Sequence, residues 1–230
     1  MNTDELLAEQ VSYYRARAAE YDDWWFRRGR YDNGPEWNQA WFAEVAEVES
    51  GLERFDASGD VLELACGTGL WTRYLARTAA RLTAVDTSPE VIELNRARVG
   101  DASVEYVRAD IFGLQLPDRY DACCFGFWLS HVPDERFAEF WDGVARALRP
   151  GGRVFFVDSG PDRSDRAHTY TRDRAHETEV RRLSDGREFR IVKRYHEPPE
   201  LERRLGELGF EVAVSTTARG SMIYGLGSRG

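Results

Sequence analysis

Val61-Leu62-Glu63-Leu64-Ala65-Cys66-Gly67-Thr68-Gly69 reads as a buried strand running straight into a glycine turn, with a helix expected from about Trp71. Glycines at such a turn let the backbone approach a ligand closely and leave helix N-terminal amides pointing at it. Taken alone the stretch is weak evidence, because the same strand, turn and helix serve nicotinamide and flavin binding. Two further acids sharpen it. Asp86 closes the next strand in Val85-Asp86-Thr87-Ser88, seventeen positions after Gly69, where a carboxylate is placed to accept hydrogen bonds from ribose hydroxyls. Asp110-Ile111 closes the strand after that, beside the place an adenine ring would occupy.

Outward from this stretch the chain alternates short apolar runs with helical ones. Val61 to Cys66, Leu82 to Asp86, Val104 to Val107, Ala122 to Phe127 and Val154 to Asp158 predict strands, a rhythm of βαβ units and a parallel sheet. Ser88-Pro89 suits the start of a helix to Val99, and Phe137, Phe140, Val144 and Leu148 line another that Arg149-Pro150-Gly151-Gly152 is expected to stop. Two amphipathic helices should precede the sheet, one carrying Leu7, Val11, Tyr14, Ala18 and Tyr21, the other Trp37, Trp41, Val45 and Val48. Between them Trp24, Trp25 and Phe26 are more aromatic than a surface loop would carry, so this segment must pack on something.

Beyond Asp158, Ser159 to Ala175 is polar and aperiodic and predicts a mobile loop or lid. Asp185-Gly186 signals a hairpin between Glu177 to Leu183 and Glu188 to Arg194; a helix from Pro199 to Leu208 and strands at Phe210 to Thr216 and Met222 to Leu226 close the chain. The expected division is a helical lid over 1–52 and a cofactor-binding core over 53–230, with 159–196 as a substrate cap.

With 31 Lys+Arg against 40 Asp+Glu, the formal net charge of -9 repels a phosphate backbone, so nucleic acid is not the expected partner. The start of the chain is acidic where a secretory signal would be basic, and no apolar stretch is long enough to cross a bilayer, so a cytoplasmic protein without membrane attachment is expected. Oligomeric state has no signature here. Cys66, Cys123 and Cys124 fall at ends of predicted buried strands and serve as small core residues, and no metal spacing is present. Lys193 is the single lysine among thirty arginines, a bias that genome composition explains as readily as function.

In these residues the chain resembles the class I (seven-stranded, Rossmann-like) S-adenosylmethionine-dependent methyltransferases, in particular the bacterial small-molecule branch with a helical N-terminal lid. Glu63 with the turn from Ala65 to Gly69 is similar to that family's first motif, Asp86 to its ribose acid, Asp110-Ile111 to its adenine site and Asp121 to Phe127 to its fourth motif beside the methyl donor. Arg149-Pro150-Gly151-Gly152 is similar to the turn before its fifth strand. The resemblance implies an α/β fold, a doubly wound, mostly parallel seven-stranded sheet ending in antiparallel strands. It also implies S-adenosylmethionine as cofactor and transfer of a methyl group, to oxygen or nitrogen in preference, on a small soluble molecule. Cofactor contacts are then expected from Glu63, Ala65, Cys66, Gly67, Thr68, Gly69, Trp71, Asp86, Thr87, Ser88, Asp110, Ile111, Phe125 and Gly126, with Tyr21 and Arg30 meeting the methionine carboxylate. Ala65, where glycine is usual, and Glu63, where aspartate is usual, depart from the pattern.

Three other readings compete. A nicotinamide-dependent oxidoreductase would place a glycine three positions after Gly69, and position 72 is Thr72. A nucleic-acid base methyltransferase would show an Asp/Asn-Pro-Pro-aromatic run where this chain has Phe125-Gly126-Phe127-Trp128. A non-catalytic module that binds S-adenosylmethionine is the third.

Candidates for the acceptor side are Tyr14, Trp25, Trp128 and Tyr195, although Tyr14, Trp25 and Trp71 serve equally as packing between helices and sheet. His131, just beyond the fourth strand, stands where a histidine can deprotonate or orient an acceptor near neutral pH; it can also cap the helix expected near Asp134. Pro161 to His196 holds ten basic and seven acidic residues within an acidic chain. Such asymmetry can mark a site for an anionic substrate, and it is also how a solvated face of mixed charge looks.

Overall fold

A computed structural model describes residues 2–101, 103–114, 116, 119–161, 170–173 and 177–230. Helix α1 (Thr3–Arg17) begins on a capping box, in which the Asn2 side chain accepts from the Glu5 amide and the Glu5 carboxylate reaches back to the Asn2 amide. A short helix α2 (Tyr21–Trp25) and the long α3 (Pro35–Phe55) follow. The body then alternates: β1 (Gly59–Leu64), α4 (Thr72–Leu75), β2 (Ala79–Asp86), α5 (Pro89–Val99), β3 (Val104–Arg108), β4 (Tyr120–Gly126), α6 (Phe137–Ala147) and β5 (Leu148–Ser159). After it come β6 (Tyr170–Asp173), β7 (Thr178–Arg182), β8 (Glu188–Val192), α7 (Pro198–Glu207), β9 (Phe210–Thr216) and β10 (Met222–Arg229).

The seven-stranded sheet has the order β3-β2-β1-β4-β5-β10-β9, parallel except for β10, which runs antiparallel to both neighbours. Strand order reverses between β1 and β4, which opens a crevice at their carboxyl ends. One face of the sheet packs under α3, whose Trp41, Val45, Val48, Leu52 and Phe55 join Val61, Ala122 and Phe155 in one core; the other packs under α6 and α7 through Phe140, Trp141, Leu201 and Leu205. Helix α3 therefore covers the sheet, and the part of the expected 1–52 lid that covers the crevice is the segment ahead of α3. The helix end expected at Leu148 comes one residue sooner. Arg149-Pro150-Gly151-Gly152 lies inside β5, as an irregularity between the pairs Tyr120 with Leu148 and Ala122 with Arg153.

Strands β6, β7 and β8 form a separate antiparallel sheet whose β7-β8 hairpin is the one predicted around Asp185-Gly186. Most of the segment expected to be a mobile loop, 162–169 and 174–175, lies outside the described residues; Tyr170–Asp173 within it is a strand. Helix α1 lies against β8 and buries Gln10, Tyr13 and Arg17 there, while Leu7, Val11 and Tyr14 of the expected apolar stripe look into the crevice. Its packed face is mixed: Tyr13 joins Leu183 and Ile191 in a small apolar cluster, while Glu9 and Gln10 accept from the Arg190 and Val192 amides of the hairpin edge. Gln10 bridges that junction: its Oε1 accepts from the Val192 amide at 3.1 Å and its Nε2 donates to the His131 carbonyl at 3.2 Å. Replacing Gln10 by leucine strands both buried backbone groups, each at a cost of about 1–3 kcal/mol. Gln10→Leu should lower the thermal midpoint and speed proteolysis within residues 3–20; a variant with wild-type melting and cleavage would show that α1 is held by other contacts.

Candidate functional site

The crevice holds a cavity of about 330 Å³, floored by the carboxyl ends of β1, β2 and β4 and roofed by α1 and α2. Ala65, Gly67, Thr68, Asp86, Thr87, Asp110, Ile111, Gly126, Tyr14, Tyr21, Trp128 and His131, all singled out by the sequence, line it together. Others stand elsewhere. Phe125 points to the opposite face, stacked on Phe156 and packed against Phe140 and Trp141, because alternate residues of a strand face opposite ways. Glu63, Trp71 and Trp25 do not line the crevice: Trp25 packs edge-on against Trp41 and Trp71, and Glu63 borders a small void with Trp71 and Leu75. Cys66 and Gly69 are turned into the turn's own packing, and Ser88 caps α5 by accepting from the Val91 amide. Arg30, expected at the methionine carboxylate, is tied instead to the Arg182 carbonyl, the Tyr31 hydroxyl and Glu20. Tyr195 donates to Glu179 at 2.9 Å outside the crevice.

The turn after β1 is shaped from behind. Asn95 of α5, fully buried, donates to the carbonyls of Cys66 and Gly67 at 3.2 and 3.1 Å and to Thr72 at 2.8 Å, and accepts from the Tyr106 hydroxyl at 2.8 Å. A side chain at Gly69 would meet the Asn95 carboxamide at 2.8 Å, so glycine there is a matter of space as well as its φ of +88°. Ala65 has a φ of +50°, the left-handed region that its usual glycine replacement enters freely and alanine enters at a cost of roughly 1–2 kcal/mol. Phe127, which lines the same cavity, has a φ of +53° and is a second strained residue there.

Asp86 is held by backbone amides, accepting from Gly67 at 3.1 Å and Ser88 at 3.0 Å. Burial raises its carboxyl above the usual value while those amides pull the other way. Glu63 has no such amides; burial, opposed by Thr72 and helped by the charge of Asp86, pushes it up to about 8. His131 is fully enclosed. Its Nδ1 lies 2.7 Å from the Val192 carbonyl, which can only accept, so that nitrogen carries the proton and Nε2 accepts from the Tyr14 hydroxyl at 2.6 Å. Burial, with Lys193 nearby, holds the imidazole well below its ordinary value, and burial lifts Tyr14 well above its own.

A second cavity, of about 30 Å³, shares Tyr14, Tyr21, Phe127 and His131 with the first and is otherwise lined by Trp24, Ser159, Arg17, Arg181 and Lys193. Arg17 lies against the Tyr21 ring at 4.9 Å, Arg181 pairs with Glu179 at 2.5 Å, and the Lys193 ammonium donates to Ser130 at 2.7 Å and Ser159 at 3.0 Å. Sequence reasoning missed this gathering, and also a clasp between roof and turn: Asp22 accepts from the Thr68 hydroxyl at 2.6 Å and pairs with Arg98, which donates to the Thr68 carbonyl at 2.7 Å. The signals available beforehand were the lone lysine and the basic balance of Pro161 to His196.

The crevice fits a nucleoside, with carboxylates at the ends of two adjacent strands and a turn shaped for close backbone approach. A family model described as a methyltransferase domain matches residues 61–152. The ubiquinone biosynthesis O-methyltransferase of Aeromonas salmonicida (strain A449) is 29% identical over 67% of this chain and 63% of its own length. The demethylmenaquinone methyltransferase of Clavibacter sepedonicus is 38% identical over 43% of this chain and 40% of its own. The chain thus spans less than two thirds of these curated relatives. DhpI, solved in complex with SAH, is 38% identical and superimposes with a TM-score of 0.78 over 100% of this chain and 99% of that one; its complex with SAM and HEP gives the same identity and score. Among the described residues no helix is long and apolar enough to cross a membrane.

A protonated Glu63 carries a stability signature. Its folded value, about 8, lies above the 4.5 of an unperturbed glutamate, so the stability it confers is complete below about pH 4.5 and is lost as pH rises through 8. Glu63→Gln cannot ionise. Between pH 5 and 9, urea denaturation should show wild type losing on the order of a few kcal/mol more than the variant; parallel losses would mean that Glu63 does not titrate in the fold.

Proposed function

Because the chain belongs to the class I S-adenosylmethionine-dependent methyltransferases, we propose that it is a catalyst that moves a methyl group from S-adenosylmethionine to oxygen or nitrogen of a small acceptor bearing an oxyanion. One observation carries the reading: the cofactor crevice adjoins, across Tyr14, Tyr21, Phe127 and His131, a cavity lined by Arg17, Arg181 and Lys193. DhpI, whose complex holds SAM and HEP together, supports a second ligand beside the donor. A nicotinamide-binding or purely binding role leaves that second cavity without a task.

When bound, the cofactor supplies a methyl group already activated as a sulfonium, whose in-line displacement needs alignment and exclusion of water more than acid-base machinery. Asp86 is the proposed ribose acceptor, its orientation set by the Gly67 and Ser88 amides; Asp110 and Ile111 border the adenine, and the turn from Ala65 to Thr68 the methionine end. Tyr14, Tyr21, Trp24 and Phe127 close the passage to water. The neutral His131 accepts the Tyr14 hydroxyl at Nε2, which turns the Tyr14 oxygen lone pairs toward the acceptor; where the receiving atom still carries a proton, Tyr14 takes it and passes its own to Nε2.

Asp86→Ala should weaken donor binding roughly ten- to hundred-fold, the loss of one or two charged hydrogen bonds. Calorimetry giving wild-type affinity in a folded variant would refute the ribose assignment. For His131→Ala, single-turnover transfer to a hydroxyl or amine acceptor should fall roughly 10²–10⁴-fold with donor affinity unchanged. The acid limb of the wild-type profile should then lie well below pH 6.5, because burial keeps the imidazole neutral there. Near-normal transfer by the variant would remove His131 from the chemistry.

A further inference from the structure

Thirty-one cationic side chains include one lysine, and the fold buries it. Lys193 follows β8, anchored by its amide to the Glu177 carbonyl at 2.7 Å, and its Nζ reaches the carboxyl ends of β4 and β5. There Asp158, fully buried at 3.7 Å from Nζ, accepts from the Ser130 amide at 2.8 Å and the Ser159 amide at 2.6 Å. Asp158 thus positions both serines, and the two hydroxyls seat the ammonium. A compact ammonium donates to both hydroxyls, which lie 2.7 and 3.0 Å from its one nitrogen.

The cavity Lys193 borders is about 30 Å³, room for one or two water-sized groups and so for the oxygens of an oxyanion but not for a whole metabolite. The rest of an acceptor must lie toward the crevice, past Tyr14 and His131. We propose that Lys193 is a specificity-determining residue: its ammonium, seated on Ser130 and Ser159, binds an oxygen of the acceptor's oxyanion and so selects which end of which acceptor enters. This deepens the anionic-acceptor reading above and rests on it. Arg17 and Arg181 border the same oxygens from α1 and β7, so the anion joins the roof to the small sheet.

A single lysine makes the test direct. Full-length protein grown on ζ-¹⁵N-lysine gives one side-chain nitrogen resonance, which is followed with the enzyme saturated in S-adenosylhomocysteine while inorganic phosphate or sodium acetate is added. The expected result is a saturable shift of that resonance with either oxyanion, at the midpoint found by calorimetry. Lys193→Met should weaken this binding roughly ten- to hundred-fold while S-adenosylhomocysteine affinity stays as in wild type. A shift with phosphate alone supports a phosphate-type acceptor, and one with acetate alone a carboxylate. Calorimetric oxyanion binding that leaves the resonance in place overturns the role of Lys193 and spares the anionic reading. Failure of both anions to bind, with S-adenosylhomocysteine bound normally, overturns the two together. Because the labelled wild type decides between these outcomes, the inference is tested even if the methionine variant does not fold.

Discussion

The carboxamide of Asn95 is the joint on which the crevice depends. One buried side chain reads two carbonyls of the glycine turn, the first hydroxyl of α4 and the phenol at the end of the row on β3, so β1, α4, α5 and β3 meet at a single group. Such a network has one satisfied geometry, and leaving any member without its partner in a low-dielectric interior is costly. The turn is therefore held open from behind, with its Gly67 amide free to orient Asp86. The positive φ at Ala65 persists because this surrounding structure over-determines it.

Charge is handled differently on the two sides of the crevice. Beneath the turn, Glu63 lacks backbone amides and stays protonated near neutral pH; beside it, Asp86 is served by two amides and is the carboxylate suited to a ligand. Toward the small sheet, cations and anions are buried together: Arg181 with Glu179 and Lys193 with Asp158. Burying ions contributes little to stability after desolvation is counted, so these pairs do not by themselves account for the hold of the small sheet on the body. The aromatic segment ahead of α3 completes the enclosure. Trp24, Trp25, Trp41 and Phe127 pack edge to face at centroid distances from 4.8 to 5.9 Å, which anchors the roof, and Asp22 clasps it to Thr68 and Arg98.

What the sequence determined by itself is local. Alternation of apolar runs with helical ones specifies a parallel sheet, and a strand that ends in Ala65 to Gly69 followed by Asp86 and Asp110 at the next two strand ends specifies the crevice, because each depends only on spacing along the chain. The helix cap at Ser88-Pro89 and the hairpin at Asp185-Gly186 are equally local and stand where expected. Side-chain direction was less secure: Phe125 sits in the right strand but on the far face, and Arg149 to Gly152, expected to lie between elements, is absorbed into β5 by an irregular pairing. Only the tertiary structure assembled the basic cavity beside the crevice. Arg17, Arg181 and Lys193 are separated by up to 176 positions and come together because α1 lies along the hairpin and the hairpin lies over the carboxyl ends of β4 and β5. That docking depends on long-range packing, which leaves no periodic trace in the chain; a single lysine among thirty arginines and the basic balance of Pro161 to His196 were its visible marks.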